Sequence, residues 1–219
     1  MTRTSDARGA IRAVTFDMDG TLCLPQPWMF PAMRDAIGCT DTKIDILTFI
    51  DALPTVQEKR KAEKAIHDVE VKAMHEMVPQ SGLTELLQYL TENGVYKSIC
   101  TRNIQTPVDS FIRRFVPAEL SQFDLIVTRD LDPQRPNPDP LHHIASQLGV
   151  DTAEMMMVGD SFDDMRSGRS AGCVTVLLKN KINEHLLTEH ADLVDVTVDT
   201  LAEIVPLLQH SAAESPAPV

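Results

Sequence analysis

Residues 16–22 read FDMDGTL, with Asp17 and Asp19 one residue apart directly after the apolar run IRAVTF at 11–16. The run is short, β-branched and aromatic, and it stops at polar residues and Gly20, which is the pattern of a buried strand. Two like charges at the end of a core strand resist ionising together. The pair therefore calls for a cation, a proton or a chemical task. On an extended chain, residues two apart point the same way, so both carboxylates are expected on one side. Gly20 permits the turn that follows.

Outward from this stretch the pattern changes. A Pro-rich segment, LPQPWMFP, comes first, and residues 32–78 show no strand. Ile44, Leu47 and Ile50 recur at helical spacing. From Thr55 onward Ala62, Ile66, Val69 and Ala73 form one apolar stripe of an amphipathic helix. Its basic cluster KRKAEK reads as a solvated face with charges of both signs. After Pro79, helical and strand segments alternate. SGLTELLQYLTENG is a helix with a Ser81 start and a Gly94 stop. VYKSICT, DLIVTR, MMMVGD, VTVLL and LVDVTV read as strands, and PVDSFIRRF, DPLHHIASQLG, DDMRSGRSAG and TLAEIVPLLQ as helices. Such alternation implies crossover connections and a parallel sheet covered on both faces. The expected fold class is α/β, a doubly wound, Rossmann-like parallel sheet with a small all-helical cap inserted after the first strand. The core is assigned to residues 1–22 and 79–210, the cap to 23–78, and a disordered tail of small and polar residues to 211–219.

Composition narrows the classes. The 219 residues are 43% apolar and 24% charged, ordinary for a globular protein of one core with a modest insert. No apolar run is long enough to cross a bilayer, so no membrane partner is expected. The N-terminal segment MTRTSDARGA has no apolar centre of the secretory kind. Cys23, Cys39, Cys100 and Cys173 are widely spaced and suit a reducing, cytoplasmic compartment. The net charge of −12 repels a phosphate backbone, so nucleic acid is not an expected partner. A phosphorylated substrate would need local positive charge.

In doubly wound sheets, ligands bind beyond the carboxyl ends of the strands. The first strand end carries Asp17 and Asp19. The second, SICTRN, carries Thr101, Arg102 and Asn103. The third leads to DLDPQRPNPDP with Arg135, and the fourth, MMMVGDSFDD, carries Asp160, Ser161, Asp163 and Asp164. Several carboxylates at one sheet edge suit a hard cation with oxygen ligands, Mg²⁺. A guanidinium such as Arg135 matches phosphate geometry.

DMDGTL, a Thr at the second strand end, a basic residue before Pro-x-Pro and GDSFDD, in this order, resemble the haloacid dehalogenase superfamily of phosphohydrolases over about residues 11–205. The helical insert after the first motif resembles the phosphoglycolate-phosphatase-like branch. The resemblance implies a Mg²⁺-dependent phosphatase acting on a small phosphorylated metabolite. Asp17 would be the nucleophile that forms an aspartyl-phosphate and Asp19 the acid/base. Thr101, Arg102 and Arg135 would bind the substrate phosphate. Asp17, Asp160, Asp164 and the backbone carbonyl of Asp19 would hold the metal. Two positions depart from the usual pattern: Arg135 stands where Lys is common, with Lys179 and Lys181 as fallbacks, and Arg102 interrupts a Thr-Asn pair. A phosphomutase of the same fold, or a catalytically weak binding or scaffold protein, is the alternative. A dehalogenase would need neither Asp19 nor the GDSFDD acids.

Overall fold

A computed structural model describes residues 9–129 and 140–214. The chain divides into two compact units, one of residues up to Leu24 and from Pro79 onward, the other Pro25–Val78. The first unit holds strands β1 (Ala13–Phe16), β2 (Tyr96–Cys100), β3 (Leu125–Val127), β4 (Met155–Gly159), β5 (Val174–Leu178) and β6 (Val196–Val198). They form one parallel sheet in the order β3-β2-β1-β4-β5-β6. The central strands β1 and β4 are buried along their whole length, which is why both read as near-continuous apolar runs rather than alternating ones. Burial of side chains such as Phe16, Ile99 and Val158 contributes on the order of 1.5–3 kcal/mol each.

The second unit is helical: α1 (Met29–Ile37), α2 (Ile46–Asp51) and α3 (Val56–Glu76). It has a core of its own, in which Met29, Met33, Ile46, Ile50, Ala62, Ile66 and Ala73 pack together, with Trp28 and Val69 partly buried against them. The stripe expected on α3 is therefore its packing face. On α2 the register differs: Ile46 is buried, whereas Ile44 precedes the helix and is exposed. Helix α1 is hidden in the sequence by the prolines before it and by Pro31 within it. Pro31 falls in its first turn, where the missing N–H has no helical partner to lose.

The sheet unit adds α4 (Leu83–Glu92), α5 (Gln105–Phe115), α6 (Pro140–Leu148), α7 (Phe162–Ala171), α8 (Leu186–Glu189) and α9 (Ile204–Glu214). One sheet face packs Ala13, Met155 and Met157 against Leu141, Ile144 and Ala145 of α6. Two details differ from the sequence reading. Helix α4 is not started by Ser81: its N-cap is Gly82, left-handed at φ 79°. A Cβ there would lie 2.3 Å from the backbone nitrogen of Ala202, so close approach to the last helical segment decides the residue. Helix α9 runs on through 211–214, the start of the expected tail, and residues 215–219 of that tail lie outside the described residues. Among the described residues, no helix is long and apolar enough to cross a membrane.

Candidate active site

The strand order reverses between β1 and β4, with β2 and β3 on one side and β5 and β6 on the other. That switch point leaves a crevice at the carboxyl ends, and the two acidic motifs flank it. The Asp17 N–H donates to Val158 O at 3.0 Å, continuing the β1–β4 ladder one residue past β1. The chain then turns sharply: the N–H groups of Thr21, Leu22 and Cys23 all donate to Met18 O at 3.2, 2.9 and 3.1 Å. Gly20, at φ 87°, makes this turn, and a Cβ on it would stand 2.1 Å from Asp160 Oδ2. The glycine thus serves both the backbone conformation and the approach of a carboxylate from the neighbouring strand.

At the end of β4, Ser161 caps α7. Its hydroxyl accepts from the Asp164 N–H at 3.2 Å, while Asp164 Oδ2 accepts from the Ser161 N–H at 3.0 Å and its hydroxyl at 2.7 Å. This reciprocal cap fixes the Asp164 carboxylate at the helix start. Gly159 leaves room for it: a Cβ there would lie 2.3 Å from Asp164 Cβ. Asp160 is held from the loop after β5. The Asn180 amide donates to its Oδ2 at 2.9 Å, and the Asn183 amide donates to its backbone carbonyl at 2.8 Å and to Leu178 O at 3.0 Å.

Asp17, Asp160 and Asp164 consequently offer oxygens within 4.8 Å of one another. Burial is the main cause that pushes each carboxyl above the usual aspartate range. For Asp17 the charges of Asp164, Asp19 and Asp160 add to it. Asp160 is pushed up to about 7, by burial and then by Asp164. Asp164 is raised by burial although its Ser161 bonds oppose the shift. Among the described residues, no lysine or arginine forms an ion pair with any of the three. Three part-buried acids, two of them raised further by the charge of Asp164, with only oxygen donors, fit a hard divalent cation.

The Asp19 carboxylate turns to other partners. Its Oδ2 accepts from the Asn103 amide at 2.7 Å, and its Oδ1 faces the Cys23 thiol at 3.6 Å. Burial raises its pKa, and both bonds oppose the rise. Thr101 is buried at the end of β2, its hydroxyl accepting from the Asn103 N–H at 3.2 Å. The Arg102 side chain is 73% exposed, with Nη1 3.9 Å from Asp163 Oδ2. Lys179 is paired with Asp199 at 2.9 Å. Arg135 lies outside the described residues. The sequence reading passed over Asn103 as a partner of Asp19 and missed Asn180 and Asn183 altogether. The latter two stand at the end of β5, so carrying the strand-end rule one strand further would have found them.

Comparison with known proteins identifies the family. Residues 14–178 match the profile of the family described as haloacid dehalogenase-like hydrolase. An uncharacterized hydrolase of Saccharomyces cerevisiae is 61% identical over 98% of this chain and 100% of its own length. A phosphoglycolate phosphatase of Pectobacterium atrosepticum is 28% identical over 96% of this chain and 97% of its own. CbbY of Rhodobacter sphaeroides, solved in complex with xylulose-(1,5)bisphosphate, is similar with a TM-score of 0.68 at 20% identity, over 88% of this chain and 96% of that one. At that identity the likeness is one of fold.

Proposed function

The chain belongs to the haloacid dehalogenase-like hydrolase family, and on that premise we propose that it is a Mg²⁺-dependent phosphatase that hydrolyses small phosphomonoesters through an aspartyl-phosphate on Asp17. One observation carries the reading. Three acids from the ends of two strands and the helix start that follows bring their oxygens within 4.8 Å of one another at the sheet's switch point, while Asp19, two residues from the first, has separate hydrogen-bond partners. Two kinds of carboxylate stand side by side, one set suited to a cation and one suited to a proton.

In this reading Asp17, Asp160 and Asp164 hold the metal, together with the Asp19 backbone carbonyl. When bound, the cation offsets the clustered charge and supplies a Lewis acid for a phosphate oxygen. A carboxylate oxygen of Asp17 attacks phosphorus, and the bond from phosphorus to the leaving oxygen breaks. Asp19 gives its proton to that oxygen, and the alcohol departs. Asp19, now a carboxylate, takes a proton from the water that attacks the aspartyl-phosphate, and inorganic phosphate leaves. The Thr101 hydroxyl and the Arg102 and Arg135 guanidiniums bind the remaining phosphate oxygens.

The test is a panel of phosphorylated metabolites with and without Mg²⁺, alongside Asp17→Asn. The expected outcome is Mg²⁺-dependent phosphate release that the variant loses by on the order of a thousandfold or more. Full activity in the variant overturns the nucleophile assignment. A hexose phosphate converted to its isomer without net phosphate release would favour the mutase instead.

A further inference from the structure

Asn103 stands two residues beyond Thr101, and its backbone is pinned on both sides. Its N–H donates to Thr101 Oγ1 at 3.2 Å, and its carbonyl accepts from the Arg129 N–H at 2.9 Å, which ties the loop after β2 to the end of β3. From that fixed backbone the side-chain amide donates to Asp19 Oδ2 at 2.7 Å. The same nitrogen lies 3.4 Å from Thr101 Oγ1 and 3.8 Å from the buried Met18 Sδ. Among the described residues, the other carboxylate oxygen of Asp19 meets only a thiol, at 3.6 Å, and a thiol is a weak donor. A 2.7 Å amide–carboxylate bond is at the strong end of the range. Of the two side-chain donors that reach Asp19, the amide is therefore the one able to set its rotamer.

We propose that Asn103 is a positioning residue that orients the Asp19 carboxyl for proton transfer to the leaving group, and so extends turnover to esters of weakly acidic alcohols. The inference rests on the reading above, in which Asp19 is the acid/base. As the phosphorus–oxygen bond breaks and the Asp17–phosphorus bond forms, the Asp19 proton passes to the departing oxygen, and a carboxylate remains. An amide N–H binds that carboxylate more tightly than the acid it came from, so the contact favours transfer in the direction of reaction. An ester whose alcohol leaves readily without a proton gains little from this help.

The experiment compares kcat/KM for 4-nitrophenyl phosphate and benzyl phosphate in the wild-type chain and in N103L, which keeps the side-chain bulk and removes the donor. Where the wild type accepts only other esters, the most and the least acidic alcohols among those it accepts take their place. The expected result is a fall of about tenfold or more on the poor leaving group and less than about threefold on the good one. A merely structural role lowers both alike, because it reduces the fraction of competent enzyme. Equal falls, or none, overturn the inference while leaving the phosphatase reading intact. A wild-type chain that releases phosphate from no ester overturns the reading and this inference with it. Should N103L fail to fold, N103A is read by the same ratio.

Discussion

At Gly20 one missing methyl group decides whether the acids can meet. The residue combines φ 87° with an Asp160 carboxylate that would stand 2.1 Å from any Cβ. Gly38 gives the comparison, since its φ of 70° is equally left-handed but nothing lies within 4 Å of its would-be Cβ. Gly38→Ala should therefore lose only the conformational term, about 1 kcal/mol. Gly20→Ala should lose more, on the order of 2–4 kcal/mol, and most of the proposed Mg²⁺-dependent activity, because Asp160 must move away from Asp17 and Asp164. Urea unfolding of the two variants, read beside activity at saturating Mg²⁺, checks this, and equal stability losses would remove the collision from the explanation. The acids themselves are legible in the sequence, because DMDGTL and GDSFDD each follow a strand and each join a carboxylate to an apolar stop. What the amides of Asn103, Asn180 and Asn183 hold is not. An asparagine after a strand has many uses, and only the folded distances show that Asn103 and Asn180 meet carboxylates and Asn183 the Asp160 backbone carbonyl.

At the scale of elements, two helices start with the same reciprocal cap and put it to different uses. Thr55 and Glu58 close the start of α3, while Ser161 and Asp164 close the start of α7. In α3 the cap satisfies backbone donors and, among the described residues, orients no member of the acidic cluster, so Thr55→Ala should lower stability by about 1 kcal/mol and leave the proposed Mg²⁺ requirement unchanged. In α7 the same geometry also orients one of the three clustered acids. Ser161→Ala should lose a similar amount of stability and, in addition, raise the Mg²⁺ concentration for half-maximal activity by about tenfold. Metal titration of both variants separates the two roles, and an unchanged requirement in Ser161→Ala would show that the cap does not orient Asp164. The alternation of strands and helices is readable because each has its own hydrophobic period. The starts of α1 and α4 are less so. Pro31 reads locally as a breaker and Ser81 as the cap, yet a first-turn position suits the proline and the nearness of Ala202 puts Gly82 at the cap.

Over the whole molecule the net charge is −12, and Asp17, Asp19, Asp160 and Asp164 stand where burial makes a further negative charge least tolerable. Folding raises the pKa of Asp17, Asp19, Asp160 and Asp164, the third to about 7. Between about 4, the ordinary aspartate value, and about 7, the folded chain holds protons that the unfolded chain has released. The stability Asp160 contributes without metal is thus fully present below about pH 4 and is lost as pH rises through about 7, and the raised pKa values of the other three acids act in the same direction. For Asp160 alone the loss is at most ~4 kcal/mol. A divalent cation competes with those protons and stabilises the folded chain only where they have gone. At matched ionic strength, Mg²⁺ should therefore raise the Tm by several degrees at pH 8 and by almost nothing at pH 5. Asp160→Asn removes one charge from the cluster. It should melt above the wild type at pH 8 without metal and show a smaller Mg²⁺ shift. A Tm rise of equal size at both pH values, or one that Asp160→Asn keeps in full, would mean that the cation binds elsewhere and that the three acids do not form its site.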